Sequence, residues 1–161
     1  MANTTRAPHR TRRSKSISTR RYTVDASVFV NAFNPHEDGH AESLQMLAAV
    51  QERGDPIIVP TLLLAEIAAS VARASDDTAG ALQYANATAA LPHLTLVTLT
   101  PALARQAADL AATHRLRGAD AVYLAVTRRY GTTLVSRDDE QRTRGSAAAT
   151  CQTPEEILKV R

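Results

Sequence analysis

Short apolar runs rich in β-branched residues alternate with longer segments of helical periodicity through most of this 161-residue chain. The runs that predict strands are Tyr22–Val24, Ile57–Val59, Leu94–Leu99, Thr132–Ser136 and Ala147–Thr150. Strands that are separated by helices pair in parallel, because a parallel connection must cross back to the starting edge of the sheet. The sequence therefore predicts an α/β domain that is doubly wound around a parallel sheet.

Capping residues and helix breakers set the predicted helix boundaries. Ser27 is the predicted cap of a short helix, Val28–Phe33, and a later helix is predicted over Asp120–Tyr130. Thr153-Pro154 opens a terminal helix. The remaining predicted helices are about 39–53, 61–74, 75–91 and 101–114. No helix is predicted between the fourth and fifth strands.

Basic residues are concentrated at the start of the chain. Residues 1–21 hold seven Arg or Lys residues and no acid, whereas the remainder has 12 basic and 16 acidic residues, a net charge of −4. Residues 1–20 also lack a hydrophobic period, so we expect a disordered basic tail and a single folded domain over residues 21–161. Three interpretations of the tail stay open: an arm that binds nucleic-acid phosphates, an organellar transit peptide, or an extension from a misassigned start.

The single cysteine, Cys151, excludes an internal disulfide and a zinc site built on cysteines. This usage suits a reducing compartment, and we expect a cytoplasmic protein. His36 and His40 lie four residues apart but lack a third ligand, which weighs against a zinc site there. No apolar run approaches the roughly 18–20 residues that a membrane span requires, so we expect no membrane segment.

Four acidic residues are predicted to meet at one edge of the sheet. Asp25 ends the first strand, Asp138 follows the fourth, and Glu66 lies in the second turn of the helix that leaves the second strand. Asp120 begins a helix that leads back into the fourth strand, so its start should lie at the same edge. Ligands of open α/β sheets bind at the carboxyl ends of the strands. This placement predicts a functional site.

Several carboxylates at one place repel one another unless a cation binds between them. Mg²⁺ and Mn²⁺ prefer oxygen ligands and activate water for attack on phosphodiesters, so the cluster indicates metal-dependent phosphoryl chemistry. Each acid also has a simpler interpretation. Asp25 can begin a turn, Asp120 can compensate a helix dipole, Asp138 and Asp139 can lie in a solvated loop, and Glu66 can face solvent.

The four acidic segments together resemble the PIN domain, in particular the small VapC-type toxins of prokaryotic toxin–antitoxin pairs. The similar blocks are Val24–Val30, Val59–Ile67, Arg117–Ala125 and Leu134–Asp138. They stand in the family's order and spacing, and the resemblance covers about residues 22–160. Ser136 stands where the family more often has Thr.

The resemblance implies a three-layer α/β/α sandwich with a central parallel sheet and a metal-dependent endoribonuclease that cleaves RNA. It also implies homodimers and a partner antitoxin. When the family's site residues are transferred by position, the resemblance implies that four acids hold a Mg²⁺ or Mn²⁺ ion and that three further residues support them. The metal ligands are Asp25 and Asp120, with Glu66 and Asp138 on the second side, and the supporting residues are Ser27, Ser136 and Asp139, the last an alternative fourth acid.

Two other classes of protein compete with this interpretation. An aspartyl-nucleophile phosphatase also places an Asp after its first strand, but it normally carries a second acid two residues later, where this chain has Ser27. A catalytically silent PIN-like module would bind RNA or protein without cleaving it. If the protein is a nuclease, basic groups must attract the polyanion to an acidic site. The candidates are Arg73, Arg115, Arg117, Arg128, Arg129 and Arg137.

Overall fold

Residues 20–159 are described by a computed structural model, in which they form five strands and eight helices. The strands are β1 (Tyr22–Val24), β2 (Ile57–Pro60), β3 (Leu94–Val97), β4 (Thr133–Val135) and β5 (Cys151–Gln152). The helices are α1 (Ala26–Phe33), α2 (His40–Arg53), α3 (Leu62–Ser75), α4 (Thr78–Ala89), α5 (Pro101–His114), α6 (Gly118–Tyr130), α7 (Asp139–Gly145) and α8 (Pro154–Lys159). Disorder was expected over residues 1–20, and of these residues 1–19 lie outside the described range.

The five strands form one parallel sheet in the order β3-β2-β1-β4-β5. Its centre is β1, in which Tyr22 is in register with Ile57 of β2 and with Thr133 of β4. Helices cover the sheet in two groups: α1, α2, α3, α4 and α8 contact one another, while α6 packs against β1, β2 and β4 and carries α5. The predicted three-layer α/β/α sandwich is therefore confirmed.

The core lies between the sheet and these helices. All three residues of β1 are buried, as expected of a central strand covered on both faces. In α6 the seven consecutive residues from Ala121 to Thr127 are buried, so this helix is enclosed on every side. Tyr123 and Phe29 are the largest of the fully buried side chains. This burial fixes the ends of β1 and α6 rigidly relative to each other.

Three local predictions were wrong. The cap of α1 is Asp25, whose carboxylate accepts a hydrogen bond from the Ser27 backbone N–H (2.8 Å), so the helix begins before Ser27. The fifth strand is Cys151–Gln152, because the predicted segment 147–150 closes α7, with two of its backbone N–H groups donating to the Gly145 carbonyl. Helix α7 was not predicted, since it is almost wholly polar and buries only Gln141 and Gly145.

Within residues 20–159, no helix has the length and apolar character needed to cross a bilayer.

Candidate active site

An open cavity of about 450 Å³ lies where β1 ends, and all four predicted acids line it. The four carboxylates come from four separate segments: the end of β1, the second turn of α3, the first turn of α6 and the residue before α7. Ser27, Arg73 and Arg117 also line the cavity. The convergence that the sequence predicted is therefore present in the fold.

Asp25 is the most deeply buried of the four acids, with 8% of the residue exposed. One carboxylate oxygen accepts the Ser27 backbone N–H, and the other accepts the Gln141 side-chain amide at 3.2 Å. Burial raises the pKa of Asp25, the nearby Asp138 charge adds to the increase, and the hydrogen bonds oppose it. The hydrogen bonds therefore fix the orientation of the Asp25 carboxylate, while burial and the Asp138 charge make its ionised form unfavourable.

Asp120 lies in the first turn of α6 and is half-buried. Burial raises its pKa to about 6, and the charges of Asp25 and Asp138 contribute to the increase, while Arg117 opposes it. This is the response of a carboxylate that shares a partly desolvated cavity with other acids. A bound cation would remove the repulsion, because it favours the charged form of every acid around it.

The Glu66 side chain lines the cavity from α3, and Tyr123 of α6 forms a hydrogen bond with it. The phenol hydroxyl donates to the Glu66 Oε2 atom at 2.6 Å. Burial raises the pKa of Glu66, the charges of Asp25 and Asp120 raise it further, and the bond from Tyr123 lowers it. The pKa of Tyr123 is itself raised, first by burial and then by the charges of Asp25 and Glu66, so the phenol remains protonated and able to donate.

The structure distinguishes between the two adjacent candidates for the fourth acid. Asp138 lines the cavity and caps α7, because its Oδ1 accepts the Gln141 backbone N–H at 2.9 Å. The Asp139 side chain is 91% exposed and forms an ion pair with Arg142 along α7. Asp138 is therefore the residue that shares the cavity with the other three acids.

The two predicted supporting serines connect the segments that carry Asp25 and Asp138. Their hydroxyl oxygens are 3.4 Å apart. Ser27 Oγ accepts the backbone N–H of Arg137 at 3.1 Å, and Ser136 Oγ accepts that of Asp138 at 3.0 Å. These contacts tie the start of α1 to the turn before α7 and fix the spacing between the two acids.

Only Arg73 and Arg117 among the proposed RNA-attracting arginines line the acidic cavity. Arg117 is 69% exposed and approaches Asp138 to 3.7 Å. Arg128 and Arg129 line a different cavity, between α5 and α6. Arg115 does not line the acidic cavity either; it is the C-cap residue of α5. The cavity lining therefore includes two of the six arginines, and their joint attraction of a polyanion stays a prediction.

Arg137 has a structural role instead. Its guanidinium donates to the Ser43 hydroxyl (2.7 Å) and the Gly39 carbonyl (2.6 Å), and it pairs with Glu155 of α8 at 2.8 Å. Gly39 has a φ of +78°, and a side chain there would overlap the guanidinium. Arg137 thus joins the turn before α7 to the start of α2 and to α8.

Sequence reasoning missed two residues that hold the acids in place, Tyr123 and Gln141. Each lies three residues after a predicted acid, Asp120 and Asp138 respectively, and three residues is nearly one helical turn. That spacing was the available signal. Each residue, however, also contacts an acid from another element, Glu66 or Asp25, and such a contact between elements leaves no trace in the local pattern.

The donor set fits a small, hard cation. None of the residues that line the cavity is His or Cys. Within the described part of the chain, no three carboxylate, imidazole or thiol groups lie close enough together to form a metal-binding group by themselves. Mg²⁺ usually takes one or two carboxylates and keeps several waters, so an open cavity lined by separated acids suits it better than an ion that needs a complete protein shell.

Helix termini also contribute to the electrostatics of the cavity. Asp25 caps α1, Asp138 caps α7, and Asp120 lies in the first turn of α6. The amino-terminal end of a helix carries a partial positive charge of roughly half an elementary charge. Three such ends at one cavity offset part of the repulsion among the acids without a bound ion.

The parallel three-layer α/β/α sandwich and the acids at the carboxyl end of its central strand are the features that the resemblance to the PIN domain implied. The sequence model of the PIN domain matches residues 22–145, and the chain belongs to the PIN domain family. No sequence among curated proteins matches the chain significantly.

Solved structures with the same fold include several toxins. One is VapC20 from Mycobacterium tuberculosis, a sarcin-ricin loop cleaving toxin, with 20% identity, a TM-score of 0.67, and coverage of 77% of this chain and 95% of that one. VapBC2 from Rickettsia felis, bound to a promoter DNA fragment, is 14% identical with a TM-score of 0.63, covering 82% and 97%. A toxin–antitoxin complex from Klebsiella pneumoniae is 17% identical with a TM-score of 0.60, covering 83% and 97%.

Proposed function

We propose that this protein is a Mg²⁺- or Mn²⁺-dependent endoribonuclease and the toxin of a toxin–antitoxin pair. The observation that carries the proposal is the single open cavity lined by Asp25, Glu66, Asp120 and Asp138. Four acids from four elements, with raised pKa values at three of them, are costly to maintain in a structural role. A cation bound by these acids would offset that cost and would also bind a phosphodiester.

Asp25 and Asp120 are the proposed metal ligands, with Glu66 and Asp138 on the second side of the cavity. When bound, a divalent cation supplies charge neutralisation and a water of lowered pKa. Tyr123 engages Glu66 at Oε2, which leaves Oε1 to accept a hydrogen bond or a proton from a water. Arg117 and Arg73, which both line the cavity, are the proposed contacts to RNA phosphates.

The biological setting follows from the structural neighbours. They include a sarcin-ricin loop cleaving toxin and a toxin–antitoxin complex. By the same reasoning we propose an RNA substrate, a cognate antitoxin, a homodimer and a cytoplasmic location for this protein. Products with a 5′-phosphate and a 3′-hydroxyl are expected from attack by a metal-activated water.

RNA cleavage by the purified full-length protein tests the proposal. We expect cleavage of single-stranded or structured RNA with Mg²⁺ or Mn²⁺, none with EDTA, and a loss of at least about 100-fold in Asp25→Asn and Asp120→Asn, as for the removal of a central catalytic group. Asp109→Asn, an identical change at an exposed position of α5, is the control and should retain activity.

Two outcomes would overturn the proposal. Cleavage that persists in EDTA and in both cavity variants would show that the acids are not the active site. RNA or protein binding with no cleavage under any metal condition would instead identify the catalytically silent PIN-like module.

A further inference from the structure

Tyr123 is a fully buried residue whose only polar side-chain atom points at the acidic cavity. It lies in the central segment of α6, and its hydroxyl donates to Glu66 Oε2 at 2.6 Å, across the gap between α6 and α3. We propose that Tyr123 is a positioning residue that fixes the Glu66 carboxylate at the metal cavity. This inference rests on the proposed function.

The choice of Tyr rather than Phe at this position needs a reason. A buried hydroxyl is stabilising only when it has a partner, because its loss of hydration is otherwise uncompensated. Tyr123 has no exposed surface, so its hydroxyl has no access to solvent. The acceptor that the structure provides is the carboxylate of Glu66, and the Ala26 backbone also hydrogen-bonds the phenol oxygen.

Glu66 needs support from another element more than Asp25 and Asp138 do. Asp25 and Asp138 have short side chains, and each accepts a backbone N–H at the start of a helix. Glu66 lies in the second turn of α3, where its own backbone N–H is used within the helix, and its longer side chain has more rotamers to lose. The hydrogen bond from Tyr123 supplies the support that helix capping gives to the two aspartates.

The position of Tyr123 on α6 links two acids through one rigid element. Asp120 lies three residues earlier on the same helix, nearly one turn closer to its amino-terminal end. Helix α6 therefore carries Asp120 directly and holds Glu66 through the phenol. The distance between these two acids is consequently set by a buried helix rather than by surface side chains.

Mn²⁺ binding tests the inference without relying on catalysis. The free hydrated ion is measured by electron paramagnetic resonance in titrations of the full-length wild type, Tyr123→Phe, Glu66→Gln and the double variant. We expect Tyr123→Phe to weaken Mn²⁺ binding about 10-fold, which is typical for loss of a residue that orients a metal ligand. In the Glu66→Gln background the same change should have less than about a twofold further effect, because Tyr123 acts through the Glu66 carboxylate.

Tyr84 provides a matched control. Its hydroxyl donates to the Phe29 backbone carbonyl at 2.7 Å, and Tyr84 does not line the acidic cavity. Tyr84→Phe removes one hydroxyl and one hydrogen bond of similar length, so it should reduce stability to a similar degree in urea unfolding. It should leave Mn²⁺ binding within about twofold of the wild type.

RNA kinetics provide a second measurement. Tyr123→Phe should lower kcat about 10-fold and leave KM for RNA nearly unchanged, because the phenol does not reach the substrate. Equal Mn²⁺ binding by the wild type and Tyr123→Phe, or an equal loss in Tyr84→Phe, would overturn the inference while leaving the nuclease proposal intact. A wild type that binds no Mn²⁺ and cleaves no RNA would overturn both.

Discussion

The replacement of Asp120 by Asn should make the metal-free protein more stable at neutral pH. Burial and the charges of Asp25 and Asp138 raise the pKa of Asp120 from 3.8 to about 6 in the folded protein. The unfolded chain therefore ionises first, and the fold loses stability as the pH rises from about 4 to above 6. Asn has a similar shape but no charge, so the variant avoids this loss.

The expected magnitude follows from the size of the pKa change. An increase from 3.8 to about 6 corresponds to about 3 kcal/mol at pH 8 if nothing screens it. Asp120 is only half-buried, so solvent reduces this to about 1.5 kcal/mol. The amino-terminal end of α6 favours a negative charge by about 0.5 kcal/mol, which Asn forgoes. We therefore expect a net gain of about 1 kcal/mol at pH 8 and almost none at pH 4.

Urea unfolding in EDTA at several pH values between 4 and 8 measures this difference directly. Asp109→Asn on α5 is the control, since it changes the net charge identically at an exposed position outside the cavity. We expect no pH-dependent gain in that variant. If Asp120→Asn is instead less stable than the wild type at pH 8, the Asp120 carboxylate stabilises α6 and the repulsion argument fails.

Two further predictions concern residues outside the acid cluster. Arg137→Ala should lower the free energy of unfolding by about 2 kcal/mol, because it removes bonds to Ser43, Gly39 and Glu155. Urea unfolding measures this loss, and Arg144→Ala, at a more exposed position, is the control. An equal loss in the two variants would contradict the prediction. Arg137→Lys should recover only part of the loss, since an ammonium lacks the planar fork. Deletion of residues 1–19 should weaken RNA binding and flatten its salt dependence while preserving metal-dependent cleavage, and equal salt slopes for the two proteins would exclude a nucleic-acid arm.

Four of the five strands and most helices were predictable because their signals are local. Apolar runs of three to six residues, cap residues such as Thr100, and the glycines that end helices are all visible in the sequence. Parallel pairing followed from the alternation of strands and helices. Helix α7 was missed because a helix that buries only Gln141 and Gly145 has no apolar period to detect.

The candidate site was predictable to the level of the participating segments. The rule that ligands bind at the carboxyl ends of parallel strands brought Asp25 and Asp138 together, and the helix directions added Glu66 and Asp120. The choice between Asp138 and Asp139 depends on which residue ends the turn and caps α7, and a sequence without a detectable helix cannot decide it. The contacts of Tyr123 and Gln141 join different elements, so they emerge only when the chain is folded.

The strand order has a consequence for how the protein is made on the ribosome. Its central strand, β1, pairs with β4, and Thr23 of β1 bonds Thr132, which lies 109 residues later in the chain. Contacts so distant in sequence form late, because the intervening chain must be synthesised and brought back first. Asp138 follows β4, so a nascent or truncated chain that stops before it holds at most three of the four acids. A growing chain is thus unable to assemble the complete acidic cavity until most of it has been translated, which separates synthesis of the protein from its activity in time.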